Sequence, residues 1–289
     1  MQGVIRRVIK RRRTEFIGQL EAGKRQVFFV PEYDKPMPDL FIPSSKLNGA
    51  VPGDRVLVRL IDWEKEGGGR PVGEVLSVLT EENSQEVAMK NLLLDAGFPL
   101  SFSDEAQEVA ARISDRISDE EIAVRRDFRN VFTVTIDPVD ARDFDDALSI
   151  QPLTGPWMEL GVHIADVSHY LEAGTSLDEE AFERATSVYL PDRVLPMLPE
   201  HISNELCSLR PKEDKLTFAC VFEVDPQAKV VNHWIGRTII HSDRRFAYEE
   251  AQECIDTQSG DHFQELTLLN NLAKKVRKQR FDQGAVNFE

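Results

Sequence analysis

Five aspartates fall within ten residues, at Asp137, Asp140, Asp143, Asp145 and Asp146, with Arg142 as the one cation among them. Carboxylates this dense repel one another unless something cationic sits between them. Hard divalent ions prefer oxygen ligands, and Mg2+ is commonly held by a few carboxylates together with waters and substrate phosphates. Metal-assisted chemistry is thus one reading, and a solvated acidic turn is the plain one. An apolar, β-branched run (Val131, Phe132, Val134, Ile136) leads in and Ala147-Leu148-Ser149-Ile150 leads out. That pattern predicts a strand, a turn opened by Pro138, and a second strand. A loop pinned at a sheet end is where sites concentrate, which puts the metal reading first.

Two metal motifs can be tested on this spacing. An EF-hand loop starting at Asp137 needs Gly at its sixth position and Glu at its twelfth, where Arg142 and Leu148 stand. An Asp-x-Asp phosphatase pair at Asp143 and Asp145 is common and weak by itself. The whole string is more specific. Thr135-Ile136-Asp137, then Ala141-Arg142-Asp143-Phe144-Asp145-Asp146-Ala147, resembles the catalytic signature of the RNase II/RNase R family of exoribonucleases.

The resemblance implies a multidomain chain: an all-β OB (cold-shock-like) barrel, then an incomplete α/β (α+β) RNB nuclease domain. It implies 3′-to-5′ hydrolysis of single-stranded RNA to nucleoside 5′-monophosphates, with Mg2+ or Mn2+. Asp137, Asp143 and Asp146 are the expected metal ligands. Asp145, with Asp143, is the expected catalytic carboxylate, orienting the attacking water or a second ion. Asp140 falls off the shared pattern. Adjacent Asp145 and Asp146 cannot both face one ion from a regular strand, so the turn should be irregular there. The rival expectation is an RNA-binding module with an incomplete nuclease portion. A metal-dependent phosphatase acting on small esters is a third.

With 289 residues the chain has room for two domains. Its formal net charge of −15 argues against loose binding to nucleic acid, though a local basic track remains compatible. Cys207, Cys220 and Cys254 lack the paired spacing of a zinc site and suit free thiols in a reducing cytoplasm. No run reaches membrane-span length. A monomer without membrane partners is expected.

Residues 1–80 should form the barrel. A basic run at 6–13, interleaved with Val4, Ile5, Val8 and Ile9, precedes strand-like pieces at 14–20, 26–30, 39–42, 54–62 and 71–79. Breaks such as Pro52-Gly53-Asp54 and Gly67-Gly68-Gly69 separate them. Five short strands suggest an OB barrel with aromatic platforms for bases. Phe16, Phe28, Phe29 and Phe41 are candidates, Phe16 and Phe28 foremost, although any such Phe is more often core. Phe28 and Phe29 should face opposite sides. By resemblance this is the second of two cold-shock-type domains, and 1–13 the trailing strand of a preceding barrel that the chain lacks.

Residues 81–126 read as a helical connector, with N-caps at Ser84, Ser103 and Ser118 and apolar stripes for packing on a neighbouring domain. The nuclease portion should occupy 127–289. In and just beyond its strand at 157–167, His163, Asp166 and His169 tempt a zinc assignment, but alternation separates His163 from Asp166. Asp166 is kept as a second-shell candidate because the family has Ile-Ala-Asp here. A helix should start at Ser176. Prolines at 191, 196 and 199 make 187–199 an extended loop rather than a regular element, and Tyr189 matches the family's aromatic clamp in its Tyr-Leu-Pro context. Arg210 could clamp a phosphate or serve as a structural ion-pair partner. Strands at 216–224 and 230–240 and helical text from Tyr248 to about Phe281 complete the reading.

Overall fold

The computed structural model describes residues 13–24, 26–32, 37–63, 70–79, 84–191 and 193–286. It divides into two compact units, Met1–Phe102 and Ser103–Glu289.

In the first unit, strands β1 (Glu15–Ala22), β2 (Val27–Pro31), β3 (Leu40–Ile42), β4 (Arg55–Asp62) and β5 (Val72–Val78) close a barrel in the order β1-β2-β3-β5-β4. Side chains alternate across a strand. Phe16 and Leu20 therefore turn into the barrel with Phe29, Leu40, Val56, Val58 and Val75, while Ile17 and Leu57 turn out. Helix α1 (Ser84–Ala96) covers those outward residues with Val87 and Leu94. Full burial of such a side chain stabilises by about 1.5–3 kcal/mol, which ties α1 to the barrel. The helix stops at Gly97, whose φ of 94° suits a left-handed cap. The barrel expected from spacing is present. Of the basic run at 6–13 only Arg13 is among the described residues, ion-paired with Asp95; the triple-glycine break lies outside them.

The second unit opens with α2 (Asp104–Ala111) and α3 (Asp119–Ala123), capped by the Ser103 and Ser118 hydroxyls as their spacing predicts. The segment expected as a connector is thus shared, α1 belonging to the first unit and α2 and α3 to the second. Then follow β6 (Arg126–Phe128), β7 (Thr133–Asp137), β8 (Asp146–Pro152), β9 (Met158–Ala165), α4 (Val167–Tyr170) and α5 (Ser176–Arg184). A small hairpin of β10 (Val188–Tyr189) and β11 (Val194–Leu195) leads to a π-helical turn at His201–Leu206. The chain finishes with β12 (Asp214–Val224), β13 (Val230–His241), β14 (Arg244–Ala247), α6 (Tyr248–Thr257) and α7 (Phe263–Asp282).

Seven strands form one sheet in the order β14-β7-β8-β9-β12-β13-β6. One face packs Phe128, Ala147, Ala165, Ala219 and Val221 against α2, α5 and the π turn. The other packs Val134, Ile150, Val224 and Phe246 against α6 and α7. Three features depart from the sequence reading. Strand β14 pairs in parallel with β7, β10 and β11 form a hairpin within the proline-rich loop, and the long C-terminal helix is broken. Gln258 and His262, at φ 52° and 54°, take left-handed conformations at that break.

Candidate active site

Strand β7 ends at Asp137 and β8 begins at Asp146, with no regular structure at residues 141–145 between them. Asp137 is buried, 8% exposed, and its Oδ2 meets no hydrogen-bond donor. Burial pushes its carboxyl above the ordinary range. Thr135 opposes that shift, Asp146 adds to it, Arg245 opposes it and Asp143 adds again. Asp145 keeps an exposed face, yet its carboxyl is also raised, first by loss of water and then by Asp143, Asp146 and Asp137. Four carboxylates therefore share one electrostatic neighbourhood. Among the described residues no three His, Cys, Asp or Glu side chains stand in ready ligating geometry. The donor set is nevertheless all hard oxygen, and an orphaned buried carboxylate oxygen is what a cation would satisfy.

The loop is tied down through its backbone. The Phe144 N–H donates to Ser208 Oγ at 3.0 Å, and that hydroxyl donates to the Arg142 carbonyl at 3.0 Å. Leu209 N–H reaches the Phe144 carbonyl at 2.8 Å, and Ala165 N–H reaches that of Asp145 at 2.9 Å. On the other arm Arg245 donates to the carbonyls of Pro138 and of Val139, the latter at 3.0 Å. Its guanidinium lies 5.4 Å from the centre of the Phe144 ring.

The hairpin carries Tyr189 to the same place. Its hydroxyl lies 3.5 Å from Asp143 Oδ2, and the ring is 67% exposed. Partial burial, Asp143 and Asp145 together raise the phenol's pKa.

Other expected site residues lie elsewhere. Asp166 is paired with Arg125, Nη2 to Oδ2 at 2.7 Å, and accepts from Ser168 Oγ at 2.7 Å. Burial works against its charge, but Ser168, Arg125 and Arg237 outweigh it and hold the carboxyl low. Asp166 is thus the counter-ion of a buried arginine, one residue beyond the Ala165 N–H that binds the Asp145 carbonyl. His163 is buried between Ser149 Oγ at 2.9 Å and Thr238 Oγ1 at 3.1 Å, while His169 faces Glu121 at 3.6 Å. Arg210 is exposed and stands 3.9 Å from Glu213, at a cavity of about 400 Å3 that also meets Tyr170, His201 and Lys215. In the barrel, Phe16 is 5% exposed and belongs to the core, so it is no platform. Strand alternation puts it inside once β4 pairs alongside. Phe28 turns outward beside Phe41, ring centres 6.3 Å apart, with the Arg70 guanidinium 4.5 Å from its centre.

Comparison with known proteins bears on this arrangement. The RNB domain family matches residues 125–289. The chain belongs to the RNB-domain family. Within this RNB-family chain, residues 28–103 also match a cold shock domain. Ribonuclease R of Thermotoga maritima is 34% identical over 293 residues, covering 99% of this chain and 41% of the relative. Ribonuclease R of Aquifex aeolicus is 30% identical over 98% of this chain and 41% of its own length. The chain thus spans about two fifths of these curated relatives, 41% in each case. Mycoplasma genitalium RNase R in complex with double-stranded RNA superposes with a TM-score of 0.71 at 23% identity, over 98% of this chain and 51% of that one. Yeast Ssd1, a pseudonuclease, superposes at 0.62 and 21% identity, over 96% and 35%.

Ser208 and Arg245 were not legible as site residues. Ser208 and its partner Arg142 are 66 residues apart, and nothing local to either residue marks the pairing.

Proposed function

We propose that this chain carries the hydrolytic centre of a 3′-to-5′ exoribonuclease that shortens single-stranded RNA and releases nucleoside 5′-monophosphates. One observation carries the reading: Asp137, Asp143, Asp145 and Asp146 share a neighbourhood that Tyr189 also reaches. The similarity to Ribonuclease R along 99% of the chain supports it, as do solved RNase R complexes with RNA.

Mg2+ or Mn2+, when bound, would ease deprotonation of an attacking water and stabilise charge on the departing 3′-oxygen. Asp137, Asp143 and Asp146 would hold the ions, Asp137 through the Oδ2 that lacks a partner. Asp145 accepts a hydrogen bond from the attacking water and fixes its approach. The exposed Tyr189 ring stacks on the terminal base while its hydroxyl is tied to Asp143, so nucleotide and carboxylate are positioned together. Phe28 offers a second stacking surface on the barrel. Three free cysteines suit a reducing compartment such as the cytoplasm.

The second reading is a chain that holds RNA without cutting it. The likeness to yeast Ssd1, a pseudonuclease, favours it. A 5′-labelled single-stranded RNA incubated with Mg2+ or with EDTA separates the two. Stepwise, metal-dependent shortening that vanishes in Asp145→Asn supports the nuclease. Intact RNA that is still bound, with or without metal, supports the holding module.

A further inference from the structure

We infer that Ser208 is a positioning residue for the carboxylate loop, fixing through the backbone how Asp143, Asp145 and Asp146 are presented to a divalent cation. The inference rests on the reading of that loop as a cation site.

The grip is double. Ser208 Oγ accepts from Phe144 N–H at 3.0 Å and donates to the Arg142 carbonyl at 3.0 Å. These two backbone groups straddle Asp143, so one hydroxyl closes a ring around that residue. A serine hydroxyl has one donor and free lone pairs, so it can make both bonds at once. The next residue continues the grip, Leu209 N–H donating to the Phe144 carbonyl at 2.8 Å, and Ala165 N–H fixes the far side at the Asp145 carbonyl. The residues between β7 and β8 that lack regular structure depend on such outside ties.

The gripping residue is itself immobile. Ser208 is 0% exposed, and its neighbours Leu206, Cys207 and Leu209 are all buried. It directly follows the π-helical turn, whose widened ring Cys207 N–H closes onto the Ile202 carbonyl at 2.9 Å. Such turns recur near functional sites, where they redirect the chain. Here the redirection delivers a core-anchored hydroxyl to the backbone of an acidic loop. No carboxylate of the loop is its partner, so any effect on cation binding must pass through loop geometry. Partners that orient metal ligands from behind typically change affinity about 10–100-fold when removed.

The test uses the whole chain and two readouts in wild type and Ser208→Ala. Amide exchange in EDTA should rise at least about tenfold across residues 141–146, while β8 beyond Ala147 and β9 keep their protection. Mn2+ affinity measured by calorimetry should fall about 10–100-fold. Should the alanine variant fold poorly, Ser208→Cys keeps a side-chain donor and acceptor, both weaker and on a larger atom, and an intermediate loss of affinity is expected. Unchanged loop exchange and unchanged Mn2+ affinity would overturn the inference and leave Ser208 a satisfied core hydroxyl. Failure of the wild type itself to bind Mn2+ would sink the cation reading, and this inference with it.

Discussion

The Tyr189 hydroxyl stands 3.5 Å from Asp143 Oδ2, although the two residues are 46 positions apart. The β10–β11 hairpin closes that distance while leaving the ring 67% exposed. A ring held at one end by a carboxylate and open on its faces is suited to stacking. Tyr189→Ala should weaken binding of single-stranded RNA by about 1–3 kcal/mol, the range of a base–aromatic contact. Tyr189→Phe keeps the ring and should stay within a few-fold of wild type. Fluorescence anisotropy with labelled RNA, in EDTA to prevent turnover, distinguishes the two. Equal losses in both variants would mean that the hydroxyl, not the ring, matters.

The carboxylate loop should be electrostatically frustrated without a cation. Asp137 and Asp145 have folded pKa values raised above their ordinary ones. Raised carboxyls contribute stability that is complete below the unfolded pKa and is lost as pH rises through the folded value. At pH 7 in EDTA, neutralising either residue should therefore stabilise the fold. Asp145→Asn is expected to raise the melting temperature by a few degrees, about 2–4 °C for each kcal/mol in a unit of this size. Excess Mg2+ should narrow the gap by stabilising the wild type more. A lower melting temperature for the variant in EDTA would contradict the frustration argument.

His163 gives the second unit an acid-sensitive point. Burial, then Arg126, push its pKa down to about 4. The folded imidazole is neutral while the unfolded one titrates near its ordinary value, so its contribution is complete above about pH 6.5 and is lost as pH falls toward 4. Between pH 7 and pH 5 this one group should remove about 2 kcal/mol. Urea unfolding across that interval measures the loss, and an NMR titration of the His163 ring checks the pKa. A ring that titrates near 6.5 would refute the assignment.

Gly161 is confined by the same buried polar pair. A Cβ there would lie 2.3 Å from Ser149 Oγ and 2.5 Å from His163 Nε2, where the hydroxyl and ring are themselves bonded at 2.9 Å. Gly161→Ala must displace one of two fully buried polar groups. Overpacking costs about 1–3 kcal/mol, and an orphaned polar atom adds about as much. A denaturation midpoint within error of wild type would show that β9 yields more readily than its packing suggests.

What could be read in advance follows the range over which each signal acts. The strand–turn–strand carrying the aspartates was legible because apolar runs flank it on both sides. So were the barrel strands, the caps at Ser103 and Ser118, and the opposed faces of Phe28 and Phe29. Phe16 was not, because its inward orientation depends on the pairing of β1 with β4, about 40 residues on. The partner of Asp166 could not be read either, because Arg125 lies 41 residues earlier. Strand β14 is four residues long, too short for alternation to register. The family pattern pointed to the loop's carboxylates; the groups that hold its backbone come from distant parts of the chain.

Strand β7 is flanked by β8, its immediate successor, and by β14, with Thr133 and Asp243 110 residues apart along that second seam. During synthesis at about 5–20 residues per second, roughly 5–20 seconds separate the emergence of the two edges. The aspartates are thus made long before Arg245 arrives to grip the Pro138 and Val139 carbonyls. A nascent chain on the ribosome carries its acidic loop with one arm unfastened, and the loop should reach its final geometry only after β14 has docked. Protection of residues 138–139 against exchange in stalled chains of increasing length would date that moment.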